Sequence, residues 1–131
     1  MSRLNVSSRS PWEDKVGYSR AVRVGNCVEV AGTTAMDGDR LVAPGDMYGQ
    51  TLFIFSKIQQ ALEEAGASLA DVVRTRMYIT RIADWELAAK AHGEIFSSIR
   101  PVSTLVEVSS LIQQDLLIEI EVTAILAAAD V

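Results

Sequence analysis

The chain holds one cysteine, Cys27, in 131 residues. It therefore cannot close an internal disulfide, which fits a reducing compartment. No apolar run approaches the roughly 20 residues that a membrane span needs. The opening stretch MSRLNVSSRSPWEDK lacks the apolar core of a signal peptide. Together these absences point to the cytoplasm and to no membrane partner. Basic residues are also scarce: 12 Lys and Arg stand against 17 Asp and Glu, a net charge of -5. Nucleic acid is then an unfavoured partner, because neutralising phosphates takes an excess of Lys and Arg. One histidine, His92, and one cysteine cannot build a zinc site, and no spaced carboxylate cluster suggests calcium. No metal is expected. A glycine-rich phosphate loop and a dinucleotide fingerprint are both missing, so no cofactor is expected either.

What is present suits one globular domain over residues 1–131. The hydrophobic fraction of 49% is enough for a core in a chain of this length. Residues 1–16 are polar and read as an irregular arm. Tyr18 to Val24 and Cys27 to Thr33 suit two strands, with Gly25-Asn26 as a two-residue hairpin turn. A short strand can form around Leu41-Val42. Asp46 is placed to cap a helix reaching about Ala65, stopped by Gly66, with Leu52, Phe55, Ile58 and Leu62 along one face. Val72 to Thr80 is β-branched and aromatic, as strands are. Asp84 is placed to cap a second helix to about Ser98, with Trp85, Ala88, Ala89, His92, Phe96 and Ile99 as its apolar stripe. His92 on that stripe reads as a packed, hydrogen-bonded side chain, and Cys27 as a small strand hydrophobe.

The last third, RPVSTLVEVSSLIQQDLLIEIEVTAI, reads as two more strands. In the second, Ile118, Ile120, Val122 and Ala124 face one way, and Glu119, Glu121 and Thr123 the other. Glu is depleted in strands, so Glu107, Glu119 and Glu121 are candidates for ligand binding or proton transfer if they face a cleft. Strands interrupted by two helices predict an α+β layer, a mixed sheet with both helices on one face. The other face mixes Val22 and Val24 with Arg74, Arg76 and Tyr78, and suits an oligomer interface better than water.

This C-terminal stretch resembles the signature of the RidA/YjgF family of small enamine/imine deaminases. Pro101, Val106-Glu107-Val108, Leu111 and Glu119-Ile120-Glu121 match it. Further matches are G-Y-S-R-A-V-R-V-G-N, A-G-T-T-A and A-L-E-E-A-G-A-S-L-A-D-V-V, so the resemblance runs from about Gly17 to Ile125. It implies a chorismate-mutase-like fold and a homotrimer whose sheets face inward, with three clefts between subunits. It also implies Tyr18 lining the cleft, Gly32 bringing backbone to the ligand with Thr33 beside it, and Glu119 positioning water or carrying a proton. Two departures matter. Ser103 stands where the family has the arginine that clamps the substrate carboxylate, and Leu105 where a cysteine is common. The chain resembles an arginine-less subgroup, for which 2-imino acid deamination is not implied. Arg100 is either a replacement cation or a solvated side chain favourable to the helix dipole.

Three functions follow as expectations. The first is an enzyme that hydrolyses a small imine, enamine or related metabolite by water attack, with Glu119 as its catalytic group. Tyr18, Gly32, Thr33, Ser103, Leu105 and Arg100 would bind substrate. The second is a non-catalytic trimer that binds a small ligand. The third, disfavoured by the acidic balance, is a ribonuclease or translation inhibitor, for which Arg74, Arg76 and Arg81 would have to form a basic patch.

Overall fold

Asp46 caps the longest helix as its sequence requires: its carboxylate accepts from the Gly49 N–H at 2.9 Å. In the computed structural model, which describes residues 2–127, this helix is α2 (Met47–Glu64). The elements before it are β1 (Arg3–Val6), α1 (Pro11–Val16), β2 (Ala21–Val24), β3 (Cys27–Thr33), β4 (Met36–Asp37) and β5 (Arg40–Leu41). After it come β6 (Val72–Ile79), α3 (Trp85–Phe96), β7 (Val102–Glu107) and β8 (Ile118–Ile125). Six strands form one sheet in the order β1-β2-β3-β8-β6-β7, while β4 and β5 make a separate small hairpin. All pairs in the large sheet are antiparallel except β6 with β7, so the sheet is mixed.

The fold is thus the expected α+β arrangement. Helices α2 and α3 cover the face that carries Val28, Val30, Thr75, Met77, Ile79, Ile118, Ile120 and Val122, all buried. Ile54, Phe55, Ile58 and Leu62 fill the space from the α2 side. The opposite face carries Glu119, Glu121, Arg76 and Tyr78 with Val22, Val24, Val102 and Val106. Several of its apolar side chains are exposed, Val102 at 57%. The hairpin between β2 and β3 closes at Gly25, whose φ of 61° an L side chain rarely adopts.

Three expectations need correction. The N-terminal arm is not irregular: β1 pairs with β2, and α1 follows. Ser10 caps α1 through the Trp12 N–H, Pro11 opens it, and Gly17 closes it in the left-handed conformation. Glu13 anchors this unit. It is buried, and its carboxylate accepts from the Ser7 hydroxyl (2.9 Å) and from the Ser8 N–H and hydroxyl. Asp84 makes no capping hydrogen bond, because the helical turn Ile82–Asp84 already leads into α3 and Asp84 pairs with Arg81 at 3.4 Å. Trp85 lies outside the buried stripe of α3 and Ala91 lies within it.

Candidate active site

Glu119 stands on β8, opposite Tyr78 of β6. Its other neighbour, β3, is bulged: Val30 pairs with Val122 but Thr33 pairs with Ile120, so β3 carries one extra residue there. The bulge reverses side-chain parity. Thr33 turns into the core, where it is buried, and Gly32 comes to lie beneath the Glu119 carboxylate. A Cβ on Gly32 would overlap Glu119 Oε2. The glycine is therefore needed for space, not for backbone conformation.

The Glu119 carboxylate is half-buried and accepts no hydrogen bond among the described residues. Burial raises its pKa above the usual carboxylate range, the Glu121 charge adds to this, and the Arg20 guanidinium opposes it. Glu121 is committed elsewhere. It accepts from the Tyr78 hydroxyl at 2.5 Å and lies 3.9 Å from Arg76 Nη1. That hydrogen bond is the chief reason the Tyr78 phenol is held above its ordinary value. Of the two carboxylates, Glu119 is the one free to exchange a proton with a ligand.

Arg20 organises the neighbourhood, and the sequence reading missed it. Its Nη1 donates to the Gly32 carbonyl (3.1 Å) and to Thr33 Oγ1 (2.9 Å), and its Nη2 donates to the Tyr18 hydroxyl (3.3 Å). The guanidinium also sits 5.6 Å from the centre of the Tyr18 ring and 4.0 Å from Glu13. One cation thus joins Tyr18, Gly32 and Thr33, three of the expected site residues. The signal was the spacing: within the strand expected from Tyr18 to Val24, Tyr18 and Arg20 are two apart and would share a side. Thr33 completes the arrangement by donating to the Ala31 carbonyl at 2.8 Å. Lys57 then pins the segment after β3 through the Thr34 and Met36 carbonyls, at 3.0 and 2.7 Å. Beside these groups, on the face not covered by α2 and α3, lies an open concavity of about 460 Å³ lined in part by Tyr18, Val22, Glu29, Ala31, Arg76 and Glu121.

The remaining expected site residues lie apart from this cluster. Ser103 is beside Thr75 in the β6–β7 register, on the helix-covered face. Its hydroxyl accepts from Thr75 Oγ1 at 2.8 Å, and Thr75 Oγ1 is 2.9 Å from His92 Nε2. Leu105 follows on the same face and packs against the core. Arg100 has φ 58° and turns back to donate to the Ser97 carbonyl at 3.3 Å. Glu107 accepts from the Ile82 N–H at 2.9 Å, a structural duty. Within one chain, then, Tyr18, Gly32, Thr33 and Glu119 come together, while Ser103, Leu105 and Arg100 do not join them.

Residues 10–126 match the family model described as Endoribonuclease L-PSP. An uncharacterised protein of Streptomyces coelicolor is 42% identical over 125 residues, covering 95% of this chain and 93% of its own length. The 3-aminoacrylate deaminase RutC of Acinetobacter baylyi is 33% identical over 104 residues, covering 79% of this chain and 82% of its own length. The crystal structure of a YjgF/YER057c/UK114 family member from Mycobacterium tuberculosis superposes with a TM-score of 0.88 at 48% identity. It covers 95% of this chain and all of that one. The chain belongs to this family, the Endoribonuclease L-PSP or YjgF/RidA family.

Proposed function

We propose that the protein is a RidA-like enzyme that hydrolyses a small imine, enamine or related carbonyl derivative in clefts between the subunits of a cytoplasmic homotrimer. The observation that carries this is Glu119: half-buried, raised in pKa, free of hydrogen bonds among the described residues, and set over Gly32. Such a carboxylate can take a proton and return it. As the water oxygen bonds to the imine carbon, Glu119 removes the water proton. The imine nitrogen takes that proton as the carbon–nitrogen double bond becomes single. The hydroxyl proton of the carbinolamine then passes through Glu119 to the nitrogen as the remaining carbon–nitrogen bond breaks, and ammonia leaves a carbonyl product. The Arg20 charge favours the ionised form of Glu119 that the first step needs.

The trimer is supported by the face that α2 and α3 leave uncovered, whose exposed Val24, Val102, Val106 and Ile125 stand among charged groups. The one observation that favours a non-catalytic, ligand-binding trimer is Arg100, which turns away and supplies no cation in place of the family arginine. A ribonuclease role gains nothing, since Arg76 lies beside Glu121 and Arg81 beside Asp84, so no free basic patch forms from them. The test is ammonia release from small imines generated in situ. Glu119→Gln should lower the catalysed rate by about 10²- to 10⁴-fold. An unchanged rate in a folded variant would refute the enzyme reading.

A further inference from the structure

A chain of three hydrogen-bonding groups crosses the edge of the sheet. Ser103 Oγ lies 2.8 Å from Thr75 Oγ1, which lies 2.9 Å from His92 Nε2. The groups come from β7, β6 and α3. Thr75 is fully buried. His92 is half-buried, with Phe55 at 5.8 Å and Phe96 at 4.7 Å between ring centres. Ser103 alone is exposed, on the edge strand of the sheet. Tying α3 to the sheet needs only His92 and Thr75, which satisfy each other. The extension to a surface serine is not required by burial.

Each hydroxyl has one proton and a neutral imidazole has one N–H. The chain therefore has two consistent polarities. With the proton on Nε2, His92 donates to Thr75, Thr75 donates to Ser103, and the Ser103 proton points outward. With Nε2 bare, Ser103 donates inward and offers only lone pairs to a ligand. Burial lowers the His92 pKa, which favours the neutral ring. The outer hydroxyl can then donate or accept, but none of these three groups carries a positive charge to offset a ligand's negative one. A desolvated carboxylate would lose its hydration here without gaining a cation.

Resting on the function proposed above, we infer that Ser103–Thr75–His92 is a reversible hydroxyl relay that recognises an uncharged polar group of the ligand. The substrate class is thus imines, enamines or carbonyl compounds bearing an amide, carbonyl or hydroxyl next to the reacting carbon, in place of a carboxylate. Ser103 touches the ligand. Thr75 and His92 are positioning residues.

Two stable carbonyl probes of near-equal size separate the possibilities, 2-oxobutyramide and 2-oxobutyrate. Each is titrated into the full-length protein by NMR, following backbone amides and the His92 ring nitrogens. The amide should bind about tenfold more tightly than the acid, the scale of one oriented hydrogen bond against an unpaired charge. Amide binding should also shift the His92 ring nitrogens. Ser103→Ala should bring the two affinities within about threefold and abolish that shift. Thr75→Val should do the same where it folds, and exposed Ser103→Ala keeps the test intact where it does not. Tighter binding of the acid overturns the inference. So does Ser103→Ala with preference and His92 response unchanged, which would leave the relay a structural tie. If that happens while hydrolysis still depends on Glu119, only this inference falls. If neither probe binds and Glu119→Gln is also without effect on hydrolysis, the proposed function falls with it.

Discussion

Gly32→Ala should separate stability from activity. The glycine does not occupy the left-handed region, so alanine meets no backbone strain there. Replacing glycine at a compatible position stabilises a chain by about 0.4–1 kcal/mol through the unfolded state. Against this, the new Cβ overlaps Glu119 Oε2 and approaches its Cδ at 3.0 Å. The carboxylate is the far end of a flexible side chain and can swing away, at about 0.5–1.5 kcal/mol for a less favourable rotamer. The two terms nearly cancel, leaving stability within about 1 kcal/mol of wild type and Tm within about 5 °C. Function should not survive. A displaced Glu119 leaves its desolvated position and its place at the bulge, so the rate should fall by about 10²- to 10⁴-fold. The Glu119 carboxyl should also titrate closer to its ordinary range, because burial is the main cause of its raised pKa. Calorimetry, ammonia release and ¹³C NMR of the labelled carboxyl test the three parts. A Tm loss beyond about 10 °C would refute the balance of terms. A folded variant with full activity and unaltered Glu119 titration would refute the placement of the carboxylate over Gly32.

Glu119→Gln should raise stability near neutral pH. A folded-state pKa above the unfolded value means that the folded protein binds more protons between the two, so wild-type stability falls as pH rises through that window. Denaturant titrations should show the variant's advantage vanish below the ordinary glutamate range, and an advantage that persists in acid would contradict the linkage. Glu13 behaves oppositely. Burial pushes its pKa up, but hydrogen bonds from Ser8 and Ser7 and the Arg20 charge outweigh this and leave it lowered. Its contribution is complete at neutral pH and is lost as pH falls below the unfolded value and through the folded one; Glu13→Ala should cost about 1–3 kcal/mol at pH 7 by chemical denaturation, and no loss would mean that the N-terminal unit is not anchored there. Light scattering after size exclusion should give about three times the 14.2 kDa chain mass, and a monomer at micromolar concentration would remove the inter-subunit cleft.

The parts of the fold that could be read in advance are those where local chemistry and periodicity agree. Asp46, the Leu52–Phe55–Ile58–Leu62 spacing and Gly66 mark α2 at both ends, and alternation in Ile118–Ala124 gives β8 its two faces. The N-terminal unit was hidden by composition. Ser10, Pro11 and Gly17 are start and stop signals, but the stretch between them is polar, and the buried Glu13 stabilises by hydrogen bonding instead of apolar contact. Arg20 was hidden for a similar reason: its partners are a carbonyl, a threonine hydroxyl and a tyrosine hydroxyl, and none forms a charge pattern along the chain. The bulge in β3 could not be read at all. It depends on how β3 meets β8, and it alone turns Gly32 toward Glu119.

Strand parity also decides what the two groups of expected site residues can do together. Ser103 pairs with Thr75 in β6, and Glu119 pairs with Tyr78 in the same strand. Thr75 and Tyr78 are three residues apart, so their side chains point to opposite faces of β6. The sheet itself therefore stands between Ser103 and Glu119 of one chain. An arginine introduced at 103 would enter beside Leu105 and Met77 on the helix-covered face, and would not reach the Glu119 of its own chain. A ligand that touches both a hydroxyl at 103 and the carboxylate at 119 must take them from different copies, wherever the edge strand of one meets the open face of another. On this reasoning a contact between copies is a requirement for any ligand held by both residues, because no rotamer change within a chain can substitute for it.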